Sequence, residues 1–145
     1  MSEMKYRQRL FIEGPLPGLN ALIAASKRSG WRQGKKGSRW NEYARMKKEW
    51  HERIELTAKV QKIKPVMSRA SFVFVWFEKD RRRDPDNIAA AGRKFIFDSL
   101  IKAGILRGDG WKHVEGWKDE FRVARGARRP GVLIEIQESM LGRIR

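Results

Sequence analysis

The sequence predicts a single α+β domain, in which a mixed sheet of about four strands packs with two main helices. Three observations carry that expectation. Residues 70–78 (ASFVFVWFE) place large apolar side chains on both faces of an extended run, as a strand inside a sheet does. Residues 40–60 and 87–102 repeat apolar positions at helical spacing. Shorter strand-like runs, 9–13, 120–125 and 132–137, flank them. At 145 residues the chain can bury roughly two-thirds of its unfolded surface in one core, and no repeat or internal boundary divides 1–145.

Taken in order, the strand RLFIE is stopped by Gly14-Pro15-Leu16-Pro17-Gly18. Asn20 then caps a short helix to Ser26. Residues 27–39 (KRSGWRQGKKGSR) hold six basic side chains, three glycines and no acid, so they cannot pack inside and form a basic loop. In the helix 40–60, Tyr43, Trp50, Ile54 and Ala58 share a face, and Lys62, Lys64 and Pro65 end it. The strand 70–78, apolar on both sides, is expected to be covered on both. In the helix 87–102, Asp86 or Asn87 is the cap and Gly104 the stop. Its buried stripe runs through Ile88, Gly92, Phe95, Ile96, Leu100 and Ala103, with Gly92 allowing close packing, while Asn87, Lys94 and Asp98 share another edge. Gly108-Asp109-Gly110 is a turn and WKHVEGW a loop. The two last strands follow, and 141–145 form a basic tail.

Charge narrows the function. Lys and Arg number 33 against 17 Asp and Glu, a net +16 that is best explained by a polyanionic partner. DNA or RNA comes first, because basic side chains on phosphates release counterions. A membrane is not expected, since no long apolar run or lipidation signal occurs. The amino terminus lacks the apolar core of a signal peptide and the chain has no cysteine, so a cytoplasmic, intracellular setting is expected. Candidate nucleic-acid contacts are Arg28, Arg32, Lys35, Lys36 and Arg39 in the basic loop, and Arg81, Arg82, Arg83 and Asn87 after the central strand.

Against this background three acids frame one helix: Asp84 and Asp86 in DPDN, and Asp109 in GDGW. Pro85 stiffens the junction and pushes Asp84 into extended backbone. If Asp109 returns to that point, any two of the carboxylates about 4 Å apart would repel by ~4 kcal/mol at an effective dielectric of 20. Such a cluster needs a shared proton or a cation, and hard oxygens without His or Cys suit Mg2+, with Mn2+ as substitute. The plainer reading makes Asp86 a cap, Asp84 a partner of Arg81 or Arg82, and Asp109 a turn residue. His113, alone, makes no metal site.

DPDN, then KFIFDSLIKAGI, then GDGW, together with FIEGPLPGLN and the late strands, resembles the RusA family of Holliday junction resolvases, particularly its phage-borne members. The resemblance spans nearly the whole chain. It implies a small dimeric α+β nuclease that cuts four-way DNA junctions with magnesium. By position, Asp84, Asp86 and Asp109 match the family's metal-binding acids, Asn87 its motif asparagine and Lys94 its catalytic lysine. Two positions depart: Gly108 stands where the family has a second acid beside Asp109, and Lys94 lies one helical turn beyond the usual lysine, where this chain has Ala90. The expectation is therefore a magnesium-dependent, structure-selective DNA endonuclease acting on branched DNA as a homodimer. A non-enzymatic basic DNA-binding protein, or a metal-dependent nuclease preferring flaps or single strands, are the alternatives.

Overall fold

The apolar run Ala70–Glu78 forms strand β2, and the sheet assembles around it. The structure, a computed structural model, describes residues 4–30 and 41–139. Strand β1 (Lys5–Glu13) is followed by helices α1 (Leu19–Gly30) and α2 (Asn41–Val60). After β2 come α3 (Pro85–Lys102), β3 (Val114–Val123) and β4 (Gly131–Ser139). The fold is α+β: a four-stranded mixed sheet in the order β1-β4-β2-β3, carrying three helices. Strand β4 runs antiparallel to both β1 and β2, whereas β3 runs parallel to β2. A parallel neighbour requires a crossover, and α3 is that crossover.

Several boundaries differ from the sequence expectation: β1 begins at Lys5 and not Arg9, and α1 runs from Leu19 to Gly30, so Asn20 lies inside the helix and 27–30, expected in the basic loop, are helical. Strand β3 starts at Val114, so the second half of WKHVEGW is strand and not loop. An edge strand with little apolar alternation is hard to read alone; its pairing with β2, from Ala70↔Val114 onward, makes it a strand. Helix α3 starts at Pro85, with Asp84 in the N-cap position. Proline at the first helical position surrenders an N–H that would have had no helical partner.

The core lies on one face of the sheet. Phe72, Phe74 and Trp76 are buried there with Leu10, Ile12, Val132, Ile134 and Ile136, and Phe97 of α3 stands edge-on to both phenylalanines. Strand β2 is therefore not covered equally on both sides: Val73, Val75 and Phe77 are only half-buried. Long basic side chains do part of the covering, with the Arg128 guanidinium 4.4 Å over the Phe77 ring. Gly92 lets α3 settle on Trp76, since a Cβ there would lie 2.7 Å from the indole. Helix propensity favours Ala over Gly by about 1 kcal/mol, but the collision with a buried ring outweighs it.

Helices α2 and α3 are joined by a buried polar contact. The Ser99 hydroxyl donates to Phe95 O at 2.6 Å, which leaves its oxygen to accept from His51 Nδ1–H at 2.5 Å. Burial, then the charges of Lys102 and Lys47, hold the His51 pKa below the ordinary imidazole value, against the pull of Asp98. Below about pH 6.5 the unfolded chain takes a proton that native His51 refuses, so stability is full above that pH and falls as pH drops toward the lower folded value. The melting temperature should therefore decline as pH falls below about 6.5. In His51→Gln that slope should flatten, and an unchanged slope would remove His51 as its source.

Candidate active site at the carboxyl ends of the parallel strands

The β2-α3-β3 crossover brings the carboxyl ends of two parallel strands together, with Glu78 opposite Val123. Ala124 N donates to Glu78 O at 2.7 Å and ties the two exits. Beyond them lies a cleft of about 500 Å³. Pro85, Ile88, Phe121 and Val123 give it an apolar floor; Arg81, Arg122 and Arg125 line it as cations, and Asp80 and Asp84 as acids. Ligands of sheets with parallel strands commonly bind beyond these strand ends.

The segment between β2 and α3 is held from below. Arg83 grips Glu78 with two parallel bonds, Nε to Oε1 at 2.7 Å and Nη2 to Oε2 at 2.8 Å, and its Nη1 donates to Leu16 O at 2.9 Å. Asn87 Oδ1 accepts from Asn20 N at 2.8 Å and so caps the start of α1. A Cβ on Gly18 would meet the Asn87 amide at 2.9 Å, which explains the glycine there. Arg83 and Asn87, expected as nucleic-acid contacts, thus spend these polar groups inside the protein. Arg82 stays at the surface, 3.6 Å from Asp80. Arg81 is exposed and in no ion pair with a described residue.

On this braced junction stand Asp84 and Asp86. Asp84 has extended backbone (φ −69°, ψ 148°), and its side chain makes no capping hydrogen bond. Asp86 occupies the first turn of α3, where the positive end of the helix favours a carboxylate. Both are exposed, and neither pairs with Arg81, Arg82 or any other described cation.

Asp109 sits elsewhere. Its Oδ2 lies 3.5 Å from Lys94 Nζ, which is also 3.3 Å from Asp98 Oδ1. The hydrogen bond to Asp98, that carboxylate's charge and the Asp109 charge hold the Lys94 ammonium above its ordinary pKa. Lys94 is eight residues beyond Asp86, about 12 Å along the helix axis. It turns to Asp98 and Asp109 because these acids are nearer than the helix head. The structure therefore brings Lys94 and Asp109 together at the middle of α3, while Asp84 and Asp86 stand two residues apart at its head. Among the described residues no three His, Cys, Asp or Glu are grouped to hold a metal. Asp84 and Asp86 alone fit a small hard cation by their chemistry, because Mg2+ is commonly held by one or two carboxylates with water and substrate phosphate completing its shell.

Several partners escaped the sequence. Asp119 accepts from Arg93 Nη1 at 2.6 Å and from Trp76 Nε1 at 3.0 Å, while Arg93 lies 4.8 Å over Trp117. Arg93 is thus a bracket between α3 and β3. Phe121, Arg122 and Arg125 reach the cleft only because β3 is parallel to β2. The signal that could have found them was the spacing: a helix of this length between two strands is a crossover. The Arg28 side chain, and Arg32, Lys35, Lys36 and Arg39, lie outside the described residues. No helix among the described residues is long and apolar enough to cross a membrane. Comparison with protein-family models and with curated proteins finds no match to this chain.

Proposed function

We propose that this protein is a magnesium-dependent, structure-selective DNA endonuclease that resolves four-way junctions and other branched DNA by paired phosphodiester hydrolysis, as a homodimer. One observation carries the reading: two carboxylates in no ion pair with a described residue stand at the head of α3, beside an arginine-lined cleft, in a chain of net charge +16. The resemblance of DPDN and GDGW to the RusA family agrees with it. Asp84 and Asp86 would hold the metal. When bound, a divalent ion there supplies charge neutralisation at the phosphate and a water acidic enough to attack it. Arg81, Arg122 and Arg125 draw the phosphodiester toward the two acids. Arg83, bonded to both Glu78 and Leu16, keeps the junction rigid, so the acids are placed before substrate arrives. Two-fold symmetry gives two such sites for two opposed strands.

The Lys94–Asp109 pair favours a second reading, a DNA-binding protein without catalysis whose acids serve the fold. A labelled synthetic four-way junction incubated with and without Mg2+ separates them. Symmetric paired nicks that need the metal support the proposal. Binding without cutting, in Mg2+ and in Mn2+, gives the second reading, and faster cutting of flaps or single strands gives a nuclease of other preference. The basic segment 27–39 is tested by salt. Neutralising Lys35, Lys36 and Arg39 together should reduce the slope of log affinity against log salt by roughly 0.9 for each phosphate that these residues had neutralised. An unchanged slope would leave the segment without a role on DNA.

A further inference from the structure

We infer that the cleft beyond β2 and β3 takes a single unpaired nucleotide, its base against Phe121 and its phosphate among Arg81, Arg122 and Arg125; the inference rests on the nuclease reading for DNA as the source. Size, charge and floor each point to that ligand. A volume of about 500 Å³ is that of a small-molecule site. Among the acids of the cleft, Glu78 is taken by Arg83, and Asp80 holds Arg82 and accepts from its backbone N–H. Asp84 is left. Against it stand Arg81 and Arg125, in no ion pair with a described residue, and Arg122, whose contact with Glu120 is a loose 3.8 Å at the surface. The surplus is cationic, and guanidinium groups suit phosphate oxygens.

The floor excludes a bare phosphate as the whole ligand. Phe121 is half-buried, resting partly on the core, and Pro85 is exposed, so an aromatic ring and a flat apolar edge line the cleft together with buried Ile88. A nucleobase stacks on such a ring whatever its sequence. To do so it must leave the duplex stack, and that is least costly where the base is already unpaired. Bulges, gaps and single-stranded flaps on branched DNA supply such bases. Since Asp84 lines the same cleft, the captured nucleotide adjoins the candidate metal site and sets which phosphate meets it.

The test is photocrosslinking in EDTA, so that it does not depend on cleavage. The probe is a DNA duplex with one unpaired 5-iodouracil, irradiated with the full-length protein, and the adduct is located by mass spectrometry. The adduct should map to Phe121. Phe121→Leu, which keeps apolar packing but removes the ring, should lose it and weaken binding of the bulged duplex about tenfold, the size of one base–aromatic stack. Phe121→Tyr should restore both. Arg125→Ala, at an exposed position, should weaken the bulged duplex more than a fully paired one. Free dTMP distinguishes the source: if it abolishes the adduct, a lone nucleotide suffices, and if the adduct persists, only a strand-borne one enters. An adduct on Trp111 or elsewhere outside the cleft, or an undiminished adduct in folded Phe121→Leu, overturns the inference. Junction cutting without the Phe121 adduct would sink this site alone, and the adduct without cutting would sink the nuclease reading alone.

Discussion

Asp86→Asn should abolish magnesium-dependent junction cleavage by weakening metal binding, lowering the single-turnover rate by on the order of 10²–10³-fold, the scale of losing one electrostatic stabiliser of the transition state. Asp84→Asn should do the same. Junction affinity should hold or improve, because each substitution removes a negative charge facing phosphate. The structure adds an asymmetry that the sequence did not contain. Asp109 is engaged by Lys94 at 3.5 Å and lies with the middle of α3, so Asp109→Asn should have a much smaller effect than Asp86→Asn. Cleavage rates of the three variants under one set of conditions decide this. Equal losses would mean that the three carboxylates assemble once DNA and metal are bound. Normal cleavage by Asp86→Asn would end the nuclease assignment for this junction.

Glu138→Ala should be the most damaging single change to stability outside the large core side chains. Glu138 is 1% exposed, and its Oε2 accepts from Met67 N at 2.8 Å, Ser68 N at 2.9 Å and Ser68 Oγ at 3.0 Å. These bonds fasten the connection between α2 and β2 to the end of β4. Alanine strands two backbone donors and leaves a cavity. With about 1–3 kcal/mol for each unsatisfied group, a loss of roughly 3 kcal/mol is expected. For a domain of this size that lowers the melting temperature by on the order of 10 °C. Glu138→Gln keeps a carbonyl oxygen as acceptor and should lose less. Thermal unfolding followed by circular dichroism gives the comparison, and equal losses for the two variants would mean that side-chain volume, not the acceptor, matters there.

Glu138 also marks the limit of what was legible in the chain. Its neighbours in sequence, alternating Ile and polar residues, predict a strand; nothing local says that one carboxylate is buried and receives a loop about seventy residues away. The central strand at 70–78 was legible to the residue, because a continuous run of aromatic and β-branched residues is a local and strong signal. Helix α3, its apolar stripe and the close packing at Gly92 were legible for the same reason: helical period and the absence of a side chain are properties of the sequence itself. DPDN could be recognised as a rigid, acidic strand-to-helix junction, since Pro85 acts on its immediate neighbours.

Which of those polar groups remain available was decided only in three dimensions. Arg81, Arg82 and Arg83 are indistinguishable as a run, yet one is spent on Glu78 and Leu16, one sits by Asp80 and one is in no ion pair with a described residue. Asn87 caps α1 across a separation of 67 residues. Asp109 had two possible destinations, the head of α3 or its middle, and the nearer ammonium of Lys94 took it. The direction of β3 converts Phe121, Arg122 and Arg125 from loop and strand residues into the wall of a cleft. Charge, period and turn chemistry act over a few residues and can be read from the chain. Pairings between side chains depend on which surfaces the backbone has already brought within a few ångströms, and that is a property of the packed fold.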